Sequence, residues 1–352
     1  MTTATTALTS PGQIAANLPG ILGFYPHDSL VFVTFTVAET AHRYELGPVL
    51  RIDLDQLDIL PELARAIDDT HPDMVFGYIV TTRPEAEIAD IIRTLHEATE
   101  ESMLDLDLAW VTPEILTGEP VTLGFSQSPE VLPPLGTAWW KDVVAPVVVA
   151  RAMAPLLAQG ELPELNREEA QEHLRHGTPH HEATDCAQLT AFALDRAQAL
   201  PEARYPALAA DARLLIDESR DLPLAEILAE EEVLLTMATL LGTAELRDLI
   251  IEDILAVPAA GAPLMLAVAR TFTGLIRHNA LCVYALCMVE LGLSMRTSHA
   301  LLAALEEDPT HMLARLLLAP AQRGEFSFMV SSVREGSRIV RARHGVEEDS
   351  AA

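Results

Sequence analysis

The chain has 352 residues, with 23 Lys and Arg against 52 Asp and Glu, and a formal net charge of -29. That field repels phosphate backbones and anionic lipid, which excludes sequence-independent binding to nucleic acid or to a membrane surface. Hydrophobic residues make up 49% and the mean hydropathy is +0.21, so the chain has apolar material for two cores of ordinary domain size.

In chain order, the approach to the first strand is crowded with Pro19, Gly20, Gly23 and Pro26. Pro26, His27, Asp28 and Ser29 suit a type I turn. Residues 30–37 are β-branched and aromatic and read as a buried strand. A polar link leads to a second strand at 48–54, which the short connection predicts to be its antiparallel hairpin partner. The period then changes. Residues 57–69 carry Leu60, Leu63, Ala64 and Ile67 at helical spacing, and 74–82 is a strand. Residues 84–100 form a helix opened by Pro84, with an apolar stripe of Ile88, Ile91, Ile92 and Leu95. Residues 106–112 are a strand, and 121–126 a further candidate. Alternating strands and helices predict an α/β domain over 12–127, its sheet mostly parallel with helical crossovers and one antiparallel strand.

Residues 128–145 are rich in Pro and carry Trp139 and Trp140. They read as a connection, with the tryptophans plugging a domain junction. Helical patterns recur beyond Pro146, with a break expected near residue 279, and no strand is read there. An all-helical domain of antiparallel pairs is therefore expected over 146–345. Within it, the stretch from Leu281 is similar to one tetratricopeptide unit. Ala285, Ala304 and Pro309 fall at its small-residue and proline positions, while Met288 and Thr297 depart from it, and no second copy is found.

Cys186, Cys282 and Cys287 form no C-x-x-C pair, which argues against a disulfide framework or a structural zinc site and favours a reducing cytoplasm. The opening MTTATTALTS shows no basic-then-apolar signal pattern. The apolar runs at 143–158 and 264–289 are interrupted by charged residues, and neither reads as a membrane span.

Ile21, Leu22, Gly23, Phe24, Pro26, Ser29, Leu30 and Val31 spell ILGF-x-P-x-x-SLV. An R-x-D-L follows at 51–54, then the stretch from Gln159-Gly160 to Arg167-Glu168, then D-P-x-H-x-L-A-R at 308–315. On these motifs the chain resembles an actinobacterial family of uncharacterised proteins, domain of unknown function 4192. The resemblance covers most of the chain and implies the two-part architecture. It implies no activity.

Three strands ending near Asp53, Thr82 and Thr112 would share one sheet edge if they run the same way, and ligands of open α/β sheets bind at such an edge. Asp28, Asp53, Thr81, Thr82 and Thr112 are therefore the candidate crevice. Aspartates and hydroxyls there suit a ribose, a polyol, an amine or a hydrated Mg2+. The competing role is local, capping the helices that follow, for which Thr82 before Pro84 is well placed. Ser29 has no base set beside it by sequence and reads as a turn residue. No phosphate-binding glycine loop or G-x-S-x-G elbow is present. His173, His176, His180 and His181, followed by Asp185 and Cys186, are candidate metal ligands or a pH sensor. Gly177 and Pro179 break the helix there, and a solvated connection is the competing reading. Arg334, Arg338, Arg341 and Arg343 form a basic stretch that either pairs with the chain's own carboxylates or docks an acidic partner.

These features lead to the expectation of a cytoplasmic protein that acts by binding, as a scaffold making protein–protein contacts, with homodimerisation through its apolar helical half. No cofactor is assigned. The alternative is a hydrolase or transferase that uses Asp53 and the threonines of the sheet crevice, with a divalent metal.

Overall fold

A computed structural model of the protein describes residues 10–38, 44–127, 136–175 and 183–346. The chain divides into two units after Glu169. The first begins with α1 (Pro11–Leu22), where Ser10 Oγ accepts from the Gln13 amide at 3.4 Å and Pro11 takes the first turn, which needs no amide hydrogen. The helix ends at Gly23, whose φ of 80° lets its N–H turn back to the Pro19 carbonyl.

Six strands follow: β1 (Ser29–Val37), β2 (Tyr44–Asp53), β3 (Met74–Val80), β4 (Leu108–Thr112), β5 (Pro120–Ser126) and β6 (Lys141–Val143). Helix α2 (Leu60–Asp68) joins β2 to β3, α3 (Glu85–Glu100) joins β3 to β4, and α4 (Ala154–Ala158) follows β6. The sheet order is β2-β1-β3-β4-β5-β6. Of the neighbouring pairs, β3–β4 is parallel and the other four are antiparallel.

The expectation of a mostly parallel sheet is therefore corrected. Strand–helix alternation identifies strands that are bridged by a helix, not strands that are neighbours. Here the crossover through α2 passes β1, which pairs with β2 on one side and β3 on the other. Because β2 and β3 both oppose β1, and β4 parallels β3, these three strands still run in one direction and end on one edge.

Strand alternation sends side chains to two cores. Val31, Val33, Phe76, Tyr78 and Trp110 pack with Ile14 and Leu18 of α1 and with Val147 and Met153. Leu30, Phe32, Val75 and Ile79 pack with Leu60, Ala64 and Ile67 of α2 and with Ile91 and Leu95 of α3. A sheet covered on both faces explains the unbroken apolar run of β1.

The segment read as a connection contributes to this unit. Its residues 141–143 pair with β5, and Trp139 joins the aromatic cluster, its carbonyl accepting from Trp110 Nε1 at 2.9 Å. Trp140 is exposed. A three-residue strand has no period of its own, and only its pairing reveals it. The division of the structure lies after Glu169.

The second unit is largely helical, with no strand among its described residues. Helix α5 (Arg167–Glu172) spans the division, so Arg167 belongs to the first unit, and the second contains α6 (Ala183–Ala199), α7 (Tyr205–Glu218), α8 (Leu224–Ile227), α9 (Glu231–Leu240), α10 (Ala244–Ala256), α11 (Pro258–Thr271), α12 (Gly274–Glu290), α13 (Met295–Glu307), α14 (Met312–Gln322) and α15 (Phe326–Arg343). The chain turns at 272–273, not near residue 279. Arg277, His278 and Asn279 lie inside α12 and are buried. Arg277 Nε donates to Glu307 at 2.8 Å, and Asn279 Nδ2 to the Leu241 carbonyl at 2.8 Å. Polar groups satisfied in this way are compatible with a core, so their polarity marks no turn.

The basic C-terminal helix pairs with the chain's own carboxylates. Arg334 Nη1 meets Glu252 at 2.6 Å, and Arg341 Nη1 meets Asp253 at 2.6 Å. Among the described residues, no helix is long and apolar enough to cross a membrane.

Candidate functional site

The carboxyl ends of β2, β3 and β4 bring the sequence-predicted crevice residues together. Ser29 is in register with Asp53 on one side and Val80 on the other, and Val80 with Thr112. The Thr81 amide donates to the Thr112 carbonyl at 3.0 Å. Asp28, Asp53, Thr81 and Thr112 therefore sit on four adjacent strand ends.

Two charged groups occupy this edge. In the first, Asp28 has a left-handed backbone, with a φ of 42°, and its carbonyl accepts from the Leu54 amide at 2.9 Å. Its Oδ1 accepts the Thr81 hydroxyl at 2.5 Å, and its Oδ2 lies 3.3 Å from Arg83 Nε. Arg83 also meets Asp55 at 2.8 Å and Glu87 at 3.9 Å. The Thr81 hydrogen bond, followed by Arg83, holds the Asp28 carboxyl below its usual range against the opposing effect of burial. The Asp55 hydrogen bond in turn raises Arg83.

In the second group, Arg51 Nε donates to Ser29 Oγ at 2.8 Å and Arg51 Nη2 meets Asp53 Oδ1 at 2.5 Å. Arg167 Nη1 reaches Asp53 Oδ2 at 3.3 Å. Ser29 donates its own proton to the His27 carbonyl at 2.6 Å. The Arg51 guanidinium lies over the Phe24 ring, 5.9 Å from its centroid. Arg167 is held close by backbone bonds between neighbouring segments: the Tyr25 amide to the Glu164 carbonyl at 3.0 Å, and the Glu164 amide to the Gly23 carbonyl at 2.9 Å.

The other candidates fall outside these groups. Thr112 is buried and donates to the Glu114 carbonyl at 3.0 Å, serving its own loop. Thr82 is exposed, and the cap expected of it does not form: α3 starts at Glu85, with Pro84 at the N-cap and no side-chain cap. His173 sits with its ring 6.5 Å from that of Tyr284. Burial, then Arg296 and Arg270, push it down to about 4, so it is neutral near neutral pH. His176, His180 and His181 lie outside the described residues. Among the described residues, no three His, Cys, Asp or Glu side chains are arranged to hold a metal ion.

The candidates chosen from sequence omitted Arg51, Arg83, Arg167 and Asp55. A signal for two of them was present, since Arg51 precedes Asp53 by two residues and shares its strand face, and Arg83 follows Thr81 by two. Arg167 is 114 residues from Asp53, and no local pattern joins them. Phe24, Ser29, Arg51, Asp53 and Arg167, which come from three separate stretches of the chain, meet at this edge.

The geometry defines a protein with a three-layer α/β domain, which bears a fixed array of paired charges at one sheet edge, and a separate helical domain. The chain belongs to the family described as Domain of unknown function (DUF4192), which matches residues 11–325. No curated protein and no solved structure matches the chain.

Proposed function

We propose that the protein acts by binding, recognising a protein partner through the charged edge of its α/β domain. The observation that carries this reading is that the edge groups are immobilised by one another. Asp28 is held between Thr81 and Arg83, and Asp53 between Arg51 and Arg167. A general base requires a free lone pair and a pKa near the working pH. Asp28 is shifted the other way, and the Ser29 proton is committed to a backbone carbonyl. Charges fixed in advance suit recognition, because complementary groups on a partner meet them without reorganisation.

The helical domain supplies the scaffold in this reading. Its α12–α13 pair is taken as a single tetratricopeptide-like unit, supported by the close approach of Thr297 Oγ1 to the Ala285 carbonyl at 3.1 Å. The test is capture from native lysate by immobilised protein, with R83Q and D28N as the variants. Partner recovery is expected to fall at least about tenfold with the circular dichroism spectrum unchanged, equivalent to about 1.4 kcal/mol. Equal recovery by both variants would remove the edge from the reading.

A second reading, a hydrolase or transferase, is favoured by one observation. Three strands of common direction gather Asp28, Asp53 and Thr81 on one edge, where open sheets place ligands. A hydrolase and transferase substrate screen with Mg2+, repeated on D53N, tests it. Turnover that D53N abolishes would favour this reading over the first.

A further inference from the structure

We infer that Arg51 and Arg167 form a site for an oxyanion, a phosphate or a carboxylate group. The inference deepens the binding reading by naming the chemistry recognised at that edge, and it rests on that reading only for the location.

The charges of the two groups differ in sign. Arg83 is shared among Asp28, Asp55 and Glu87, so acids outnumber it. Arg51 and Arg167 share Asp53 alone, one on each carboxylate oxygen. Those three residues leave one positive charge in excess, a local reversal in a chain of net charge -29.

Arg51 also has an unused donor. Its side chain is 10% exposed, its Nε and Nη2 are bonded to Ser29 and Asp53, and its Nη1 is buried without a hydrogen-bond partner. A buried guanidinium N–H left unpaired is costly, and such groups in native proteins call for an unseen acceptor. The fork geometry of arginine matches the paired oxygens of phosphate and carboxylate.

The remaining features support the same ligand. Phe24 forms an apolar wall beside the guanidinium, which strengthens any charge interaction next to it. Ser29 and Asp53 fix the orientation of Arg51 before a ligand arrives, limiting the ordering that binding requires. Arg167 is 40% exposed and comes from a separate segment tied to the edge by the two backbone bonds of Glu164. It is the second cation, and it is open to solvent.

The experiment titrates the 352-residue chain with inorganic phosphate and with acetate, against chloride at matched ionic strength, by isothermal calorimetry and thermal shift. R167Q is the primary variant, because Arg51 also holds Ser29 and Asp53. R51K keeps the charge and removes the fork. R93Q is the control, an exposed arginine of α3 paired with Asp90 and Glu97 and outside the edge.

Saturable binding of either anion is expected, weakened at least tenfold by R167Q and by R51K and unchanged by R93Q. No saturable binding to the wild type would overturn the inference, as would equal binding by R167Q, and the Phe24 ring would then account for the buried donor. Lost partner capture by R83Q with intact anion binding supports both readings. Intact anion binding with no partner captured by any form sinks the partner reading alone, and partner capture without anion binding sinks this inference alone.

Discussion

The Thr81 hydroxyl donates to Asp28 Oδ1 at 2.5 Å across 53 residues of chain. It joins the end of β3 to the turn before β1 and heads the causes that keep Asp28 ionised. Replacing Thr81 by Val keeps the shape and removes the donor. The expected loss is about 1 kcal/mol in urea unfolding, the size of one partly solvated hydrogen bond. The pH dependence follows from the sign of the shift. A carboxyl whose folded pKa lies below its ordinary value of 3.8 contributes stability that is present above that value and is lost as pH falls through the lowered one. T81V is expected to flatten that acid limb, as read from urea midpoints below about pH 4.

Asp28 holds a backbone φ of 42°, a region that glycine adopts freely and that alanine enters only with strain. Both D28A and D28G lose the carboxylate, so their difference isolates the backbone. D28G is expected to be more stable than D28A by about 1 kcal/mol in equilibrium unfolding. Equal stability would show that the left-handed turn relaxes once its side chain is gone.

Gly12 is fixed by close packing. Its amide donates to Asp142 Oδ2 at 2.9 Å, and a Cβ added there would lie 1.8 Å from the Val143 carbonyl oxygen. The obstacle is backbone and cannot swing aside, so α1 or β6 must move. G12A is expected to cost about 3 kcal/mol or more in urea unfolding. G118A is the reference, because Gly118 has a φ of 92° with nothing within 4 Å of its Cβ position. It is expected to cost about 1 kcal/mol from backbone strain alone.

His173 gives the second unit an acid sensitivity of defined sign. Its folded value of about 4 lies below its ordinary value of 6.5. As pH falls through the upper value the unfolded chain takes up a proton that the folded chain refuses. Stability is therefore full above the upper value and is lost on the way down to the lower one. H173Q removes this proton uptake. Between about pH 7 and about pH 4.5 the urea midpoint is expected to fall further in wild type than in H173Q, a window set by the ordinary histidine value.

Some of this architecture was legible because it is local. The apolar runs of β1 and β3 and the helical stripe of α3 are one-dimensional signals, carried within about ten residues. The β1–β2 hairpin followed from its short link, and the helical second half from its recurring period. Strand ends also marked where Asp28, Asp53 and Thr81 would gather, and β2, β3 and β4 do point one way.

Tertiary structure alone decided the strand order, the pairing of residues 141–143 and the charge pattern of the edge. Hydrogen-bonded pairing acts through space, so a helix between two strands does not say whether a third will lie between them, as β1 does between β2 and β3. The burial of residues 277–279 was hidden for the same reason, since the groups that satisfy them come from Leu241 and Glu307. Composition and period marked many of the helices and strands and showed that the whole chain is acidic, but α1 and the strand at 141–143 carried no such signal. Which arginine meets which carboxylate was set only when Arg167 was brought to Asp53 by the folded backbone, because a Coulomb contact of a few ångströms has no counterpart in the linear order of the chain.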